Sequence, residues 1–413
     1  MTRPSGGDTV AGLLAEIDDL GRDPVRGGWS RPVLSDAELG LREWFVAHAT
    51  KRGLDVETDR NGVIWAWHAP DGSYQDAVVT GSHLDSVPGG GAYDGPLGVA
   101  SALVAFDQLA AAGVAGRPRA IAVFPEEEGS RFGVACLGSR LLTGAIAPDR
   151  ALALTDPDGR TFAGVLAASG AAPEQIGPDP WALGRMGAFV ELHVEQGRGL
   201  IDLGRPVAVG SSILGHGRWR VTIDGAGNHA GTTVMEDRHD PMVAAGALVV
   251  AVQAIARAVP GARATVGRLV PTPGGTNVIA SRIDLWLDVR HRDDATTLGL
   301  VEEVRMAADR AAAEQGCRAT VREESFSATV DFDAALRDEL CGVLPDAPVL
   351  ATGAGHDAGV LKEHVPTAML FVRNPTGVSH APDEVVEDAD AEEGADALAA
   401  TLQHLITHRE PAI

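Results

Sequence analysis

The stretch "DAVVTGSHLDSVPGGGAYDG", residues 76–95, decides how the chain is read. Its first half is an apolar, β-branched run ending in a Gly-Ser turn, the pattern of a buried strand. Its second half places His83, Asp85 and Asp94 among glycines. "GPLGVASALVAFDQLAAAG" (95–113) reads as the helix that follows. "RAIAVFPEEEGS" (119–130) reads as a second buried strand, and it runs straight into three acids. Strands that end in polar residues, with a helix between them, predict an α/β sheet whose ligands bind beyond the strands' carboxyl ends.

Working outward, residues 9–20 and 35–52 read as amphipathic helices. The middle of the chain changes pattern. "GRWRVTIDG" (217–225) alternates like a strand, and "PMVAAGALVVAVQAIARAV" (241–259) is a helix. "RATVGRLV" (263–270) and "NVIASRIDLWLDVR" (277–290) are strands, 293–315 is a helix, and "CRATVREES" (317–325) is a last strand. The order β-α-β-β-α-β is the split βαβ, or ferredoxin-like, pattern. Residues 212–328 are therefore expected to form a domain inserted into a first one made of 1–211 and 329–413.

The 413 residues exceed what one ordinary core holds, which agrees with more than one domain. The formal net charge of −23 argues against a nucleic-acid binder, which needs a basic footprint. Cys136, Cys317 and Cys341 form no CxxC pair and imply a reducing compartment without a disulfide framework. The N-terminal residues have no apolar core of signal-peptide type. The longest apolar run, "MVAAGALVVAV" (242–252), is shorter than a bilayer requires. These features predict a cytoplasmic protein that binds no membrane.

Four segments carry candidate chemistry. In extended chain, residues i and i+2 face the same way, so Asp85 is placed to accept the other ring N–H of a metal-bound His83. In "PEEEGSRF" (125–132), adjacent carboxylates repel unless a cation sits among them. "FVELHVEQG" (189–197) carries His193 between acids, and "GVSHAPDE" (377–384) carries His380 on a Gly/Ser/Pro loop. Taken singly, each is explained by a flexible turn or a solvated acidic loop. Together they fit a chain that gathers metal ligands from several loops at one sheet edge. Oxygen and imidazole donors without thiolates suit Zn, Mn or Co.

"GSHLDSVPGGGAYDGPLG", "EEGSRF", "ELHVEQG", "NHAGTT", "TNVI" with "LDVR", "GAGHDA" and "GVSHAPDE" occur in this order over about residues 80–384. The set resembles the amidase branch of the di-metal aminopeptidase/carboxypeptidase superfamily. That branch holds N-carbamoyl-L-amino-acid hydrolases, β-ureidopropionases and allantoate amidohydrolases. The resemblance implies a di-zinc peptidase-like catalytic domain with a central mixed sheet, and an inserted ferredoxin-like α+β lid that dimerises. It implies two divalent metal ions per subunit, with Zn the default and Mn or Co as alternatives. Asp94 would bridge them, His83 and His193 would hold one, and Glu128 and His380 the other. Glu127 would be the general base and Asp85 would orient His83. His229 would act across a homodimer on the tetrahedral oxyanion, while Gln196, Asn277 and Arg290 would hold substrate. Arg290 suits a carboxylate, which its guanidinium binds bidentately.

Val234 stands where proline is frequent, and Ala381 and Asp383 replace common Ser and Glu after His380; none of these changes removes a ligand. Glu126 is assigned no role. The expected reaction is hydrolysis of the ureido amide of a small carboxylic acid, with release of ammonia and carbon dioxide. "EEGSRFGVACLGSRLLTGA", "GHGRWR" and "FVRNPTGVSHAP" are most similar to allantoate amidohydrolases, which puts allantoate ahead of N-carbamoyl-L-amino acids. A dipeptidase or aminoacylase is a second reading, and a metal-free ureido-acid sensor a third. The sensor would be expected to have lost ligands or base, and here they are present.

Overall fold

A computed structural model of the protein describes residues 8–408. The longer strands, in chain order, are β1 (Asp55–Thr58), β2 (Ile64–His68), β3 (Ala77–His83), β4 (Arg119–Phe124), β5 (Met186–Val194), β6 (Val207–Ile213), β7 (Gly215–Asp224), β8 (Arg263–Thr272), β9 (Arg282–His291), β10 (Arg318–Ser327) and β11 (Thr367–Val372). The longer helices, with the short first one, are α1 (Val10–Glu16), α2 (Asp36–Lys51), α3 (Pro96–Ala111), α4 (Pro241–Ala258), α5 (Asp294–Glu314) and α6 (Asp388–His408). The chain divides into two compact units. One ends at Ser212 and resumes at Asp331; the other is Ile213–Val330.

The first unit is built on a mixed sheet in the order β1-β2-β4-β3-β5-β11-β6. β4, β3, β5 and β11 run parallel, and β2 and β6 flank them antiparallel. β3 and β4 are buried along their whole length, as continuous apolar runs in a covered parallel sheet should be. α1, α2, α3 and α6 bring Leu13, Phe45, Leu103 and Leu402 into one core with Val78, Ile121 and Val190 of the strands. Gly81 has to be glycine: a Cβ there would lie 1.8 Å from the Ala122 carbonyl oxygen.

The first helix is shorter than its sequence pattern predicts. The chain leaves α1 after Glu16 because the buried Arg31 guanidinium takes the carbonyls of Ile17 and Leu20, both at 2.9 Å. Gly21, at φ +77°, then turns the chain away.

The Ile213–Val330 unit is a four-stranded antiparallel sheet ordered β10-β7-β9-β8. This is the ferredoxin-like arrangement expected from its sequence order. α4 and α5 pack on one face against Trp219, Val221, Leu285 and Leu287. α4 is long and apolar enough, by length and composition, to cross a membrane, unlike the shorter apolar run within it. Here its stripe of Ala244, Leu248, Val252 and Ala256 is spent on the sheet.

Candidate metal centre

Four chain segments, from the carboxyl ends of β3, β4 and β5 and from the loop before α6, converge on Asp94. The turn at Gly95 makes this possible. Its φ is +87°, and a Cβ would lie 2.5 Å from the His83 ring, so only glycine lets Asp94 sit beside His83 as α3 begins. His83 is the last residue of β3 and His193 the penultimate residue of β5, in strands that are direct neighbours.

Both imidazoles are held in one tautomer. His83 Nδ1–H donates to the Asp85 carbonyl at 3.0 Å, and His193 Nδ1–H donates to the Val194 carbonyl at 3.0 Å. A carbonyl only accepts, so Nδ1 carries a proton in each ring, and in the neutral imidazole Nε2 is the nitrogen with the lone pair. The two Nε2 atoms face each other at 3.4 Å and lie 3.5 and 3.3 Å from Asp94 Oδ1. Opposed lone pairs at that distance are unfavourable without a cation between them, and a backbone-oriented imidazole is the usual support of a metal ligand.

Asp94 Oδ2 serves a second nest. His380 Nε2 lies 3.4 Å from it and 3.3 Å from Glu128 Oε2. The ligand atoms of His83, Asp94 and His193 lie within 4.8 Å of one another, as do those of Asp94, Glu128 and His380. The donors are oxygen and nitrogen throughout, and the nests share one carboxylate, so the residues present fit two divalent cations.

The charge balance agrees. Burial and the neighbouring Asp94 push the Glu128 carboxyl well above its ordinary range. Burial also raises Glu127, against the pull of His83. Burial alone would raise Asp94 as well, but the adjacent His193 and His83 rings outweigh it and hold that carboxyl well below the ordinary range. A site with this many buried carboxylates lacks positive charge.

Glu127 splits its two oxygens. Oε2 lies 3.7 Å from His83 Nε2, while Oε1 lies 3.6 Å from Cys136 Sγ and 3.8 Å from His356 Nδ1. Gln196 Nε2 donates to Asp94 Oδ2 at 3.0 Å and to Ser379 Oγ at 2.9 Å.

Asp85 differs from its expected geometry. Its carbonyl, and not its carboxylate, accepts the His83 ring N–H; the carboxylate oxygen lies 3.7 Å away. The carboxylate instead accepts the backbone N–H of Glu127 and of Glu128, both at 3.1 Å. The loop turns before the side chain can fold back, and two adjacent N–H groups are the better partners. Asp85 therefore fixes the turn that carries Glu127 and Glu128.

Several residues the sequence left without a role belong to this site. Glu126, at φ +54°, accepts from the N–H of Arg131 and Phe132 at 3.0 and 2.6 Å and closes the acidic turn. Burial pushes its carboxyl up to about 8. Glu384 Oε1 accepts from the N–H of Tyr93 and Asp94 at 3.2 and 3.0 Å and pins the loop that carries Asp94. His356 is buried, with neither ring nitrogen hydrogen-bonded among the described residues and its ring 4.5 Å from that of His193. Its only sequence signal was a His-Asp pair in "GAGHDA".

His229, Asn277 and Arg290 lie in the other unit. A short ladder pairs Asn228–His229 with Val278–Ile279, and the Asn277 carbonyl accepts from Ala230 N–H at 3.0 Å. His229 is exposed, and its Nδ1 accepts from Gly231 N–H at 3.1 Å. Arg290 forms a two-point pair with Asp288, at 2.7 and 3.1 Å.

Fold and site together place two groups of candidate metal ligands at the edge of an α/β sheet. Residues 79–404 match Peptidase family M20/M25/M40, and the chain belongs to that family. It is 33% identical to the N-carbamoyl-L-amino acid amidohydrolase of Geobacillus stearothermophilus over 97% of this chain and 98% of that one. It is 32% identical to the allantoate amidohydrolase of Escherichia coli over 95% of this chain and 96% of that one. Among solved structures, a hydantoinase/carbamoylase family amidase from Burkholderia multivorans superposes with a TM-score of 0.86 at 31% identity, covering 99% of this chain and 100% of that one.

Proposed function

We propose that the protein is an amidohydrolase that cleaves the ureido amide of a small carboxylic acid. The single observation that carries this is Asp94 shared between two ligand nests with the Glu127 carboxylate beside them. Two divalent cations held by His83, His193, Asp94, Glu128 and His380 would polarise the ureido carbonyl and acidify a water. Glu127 takes a proton from the attacking water and returns it to the leaving nitrogen. The products are ammonia, carbon dioxide and the amine that remains.

His356 faces Glu127 with unspent hydrogen-bonding capacity and suits a polar group of the substrate near the reacting carbon. Arg290, fixed by Asp288, anchors the carboxylate. Gln196 and Asn277 complete the substrate contacts, and His229 of the partner subunit stabilises the oxyanion. The exposed apolar side of α4, with Val250 70% exposed beside Met242, Val243 and Val249, supports a dimer through the inserted unit. Mixing His229→Ala chains with Glu127→Ala chains is then expected to restore one of the two sites in each hybrid dimer, about half of wild type per hybrid and about a quarter for a randomly assembled equal mixture. No recovery in verified hybrids would rule out the shared site.

Allantoate is the substrate placed first, on the motifs "EEGSRFGVACLGSRLLTGA" and "FVRNPTGVSHAP". N-carbamoyl-L-amino acids are the second reading, favoured by the 33% identity to an enzyme of that name. Ammonia release by the Mn- or Zn-loaded protein decides between them, comparing allantoate, a panel of N-carbamoyl-L-amino acids and one dipeptide. Dipeptide cleavage without ammonia from any ureido acid would refute the proposal.

A further inference from the structure

The open face of the sheet in the Ile213–Val330 unit is laid out in rows. Directly opposed residues of antiparallel strands project from the same face. One such row is Arg322, Arg220, Trp286 and Arg268, one residue from each of β10, β7, β9 and β8. The guanidinium carbons of Arg220 and Arg268 lie 5.1 and 4.4 Å from the Trp286 ring centroid. The indole thus holds two cationic heads in place. Arg220 is paired with Asp284 at 3.0 Å and also feels Glu324. Arg268 and Arg322 are exposed and make no ion pair with another described residue. Across the rows of this face arginines outnumber aspartates.

The location gives the row a use. Arg290 stands four residues further along β9 on the same face, on the order of 13 Å away at the usual strand rise. The chain as a whole carries −23, so a small anion is repelled by most of its surface. Screening confines what the anion feels to about 8–10 Å at ordinary ionic strength, and within that range the row is positive. We infer that the Arg322–Arg220–Trp286–Arg268 row is a collecting surface for the carboxylate of a small ureido acid ahead of its capture at Arg290. The inference rests on the proposed function and adds a second, weaker anion site to it.

The test is the steady-state kinetics of the metal-loaded Arg268→Gln/Arg322→Gln enzyme with the ureido acid that wild type turns over fastest. Potassium chloride is varied from about 0.02 to 0.5 M, a range that shortens the screening length severalfold. At low salt KM is expected to rise about three- to tenfold with kcat within about twofold of wild type, and the gap should close at high salt. Arg322→Glu should raise KM further. Both positions are exposed, and an unchanged thermal midpoint verifies the fold. An unaltered KM at low salt, or a gap that persists at high salt, overturns the inference. So does loss of subunit association in sedimentation, because the row would then be a contact between copies. If wild type hydrolyses no ureido acid, the proposed function fails and takes this inference with it. Ureido turnover with an unaltered KM in the variant sinks the inference alone.

Discussion

Glu127→Gln is expected to lower kcat about 10²–10⁴-fold, the range for loss of a positioned general base. The substituted amide would keep the size and the hydrogen-bonding shape of the side chain but could not accept a proton. The geometry makes the effect specific. Cys136 and His356 flank Oε1, which leaves Oε2 directed toward His83. Asp85 holds the Glu127 backbone N–H, so the base cannot swing away from the centre. Burial raises its carboxyl above the ordinary range, which makes it a stronger base than an exposed glutamate. Bound metal and thermal midpoint should match wild type, because Glu127 belongs to neither nest. A variant that retains more than about a tenth of wild-type kcat would remove Glu127 from the role of base.

Asp94→Ala is expected to release both cations and abolish turnover, whereas His83→Ala or His380→Ala should weaken one site first. Asp94 presents Oδ1 to His83 and His193, and Oδ2 to His380. It is the residue common to both nests. A metal pair contributes several kcal/mol to stabilising the transition state, so its loss corresponds to about 10³-fold or more in rate. Asp94 is also hydrogen-bonded by Gln196, and Glu384 holds its backbone. The variant should therefore be compared with Gln196→Ala, which disturbs the loop but removes no ligand. Metal content measured on the dialysed proteins separates the two effects.

Much of the fold was legible in the sequence because its signals are local. The buried runs at 77–83 and 119–124, and the β-α-β-β-α-β order of the inserted unit, follow from apolar periodicity. His83, Asp94, His193 and His380 stood out in segments at strand ends or on Gly-rich loops, whereas their roles as ligands, and the choice of Glu128 among three adjacent acids, were implied by the family resemblance. What was not legible depends on side chains that meet only after folding. The target of the Asp85 carboxylate is set by a turn 42 residues away in sequence. Glu384 reaches Asp94 across 290 residues, and no spacing rule announces that bond. His356 lies in a segment whose Gly-Ala-Gly context reads equally well as a loop. Glu126 seemed superfluous among three acids because its partners are the backbone N–H groups of the turn it closes.

The proposed activity requires both ligand nests that share Asp94 to hold a cation. The most direct measurement titrates the metal-free protein with Zn or Mn while ammonia release from the preferred ureido acid is followed. Activity is predicted to rise to a plateau at two equivalents per chain, with Asp94→Ala at background throughout. Full activity at one equivalent, or turnover by the metal-free protein, would contradict it.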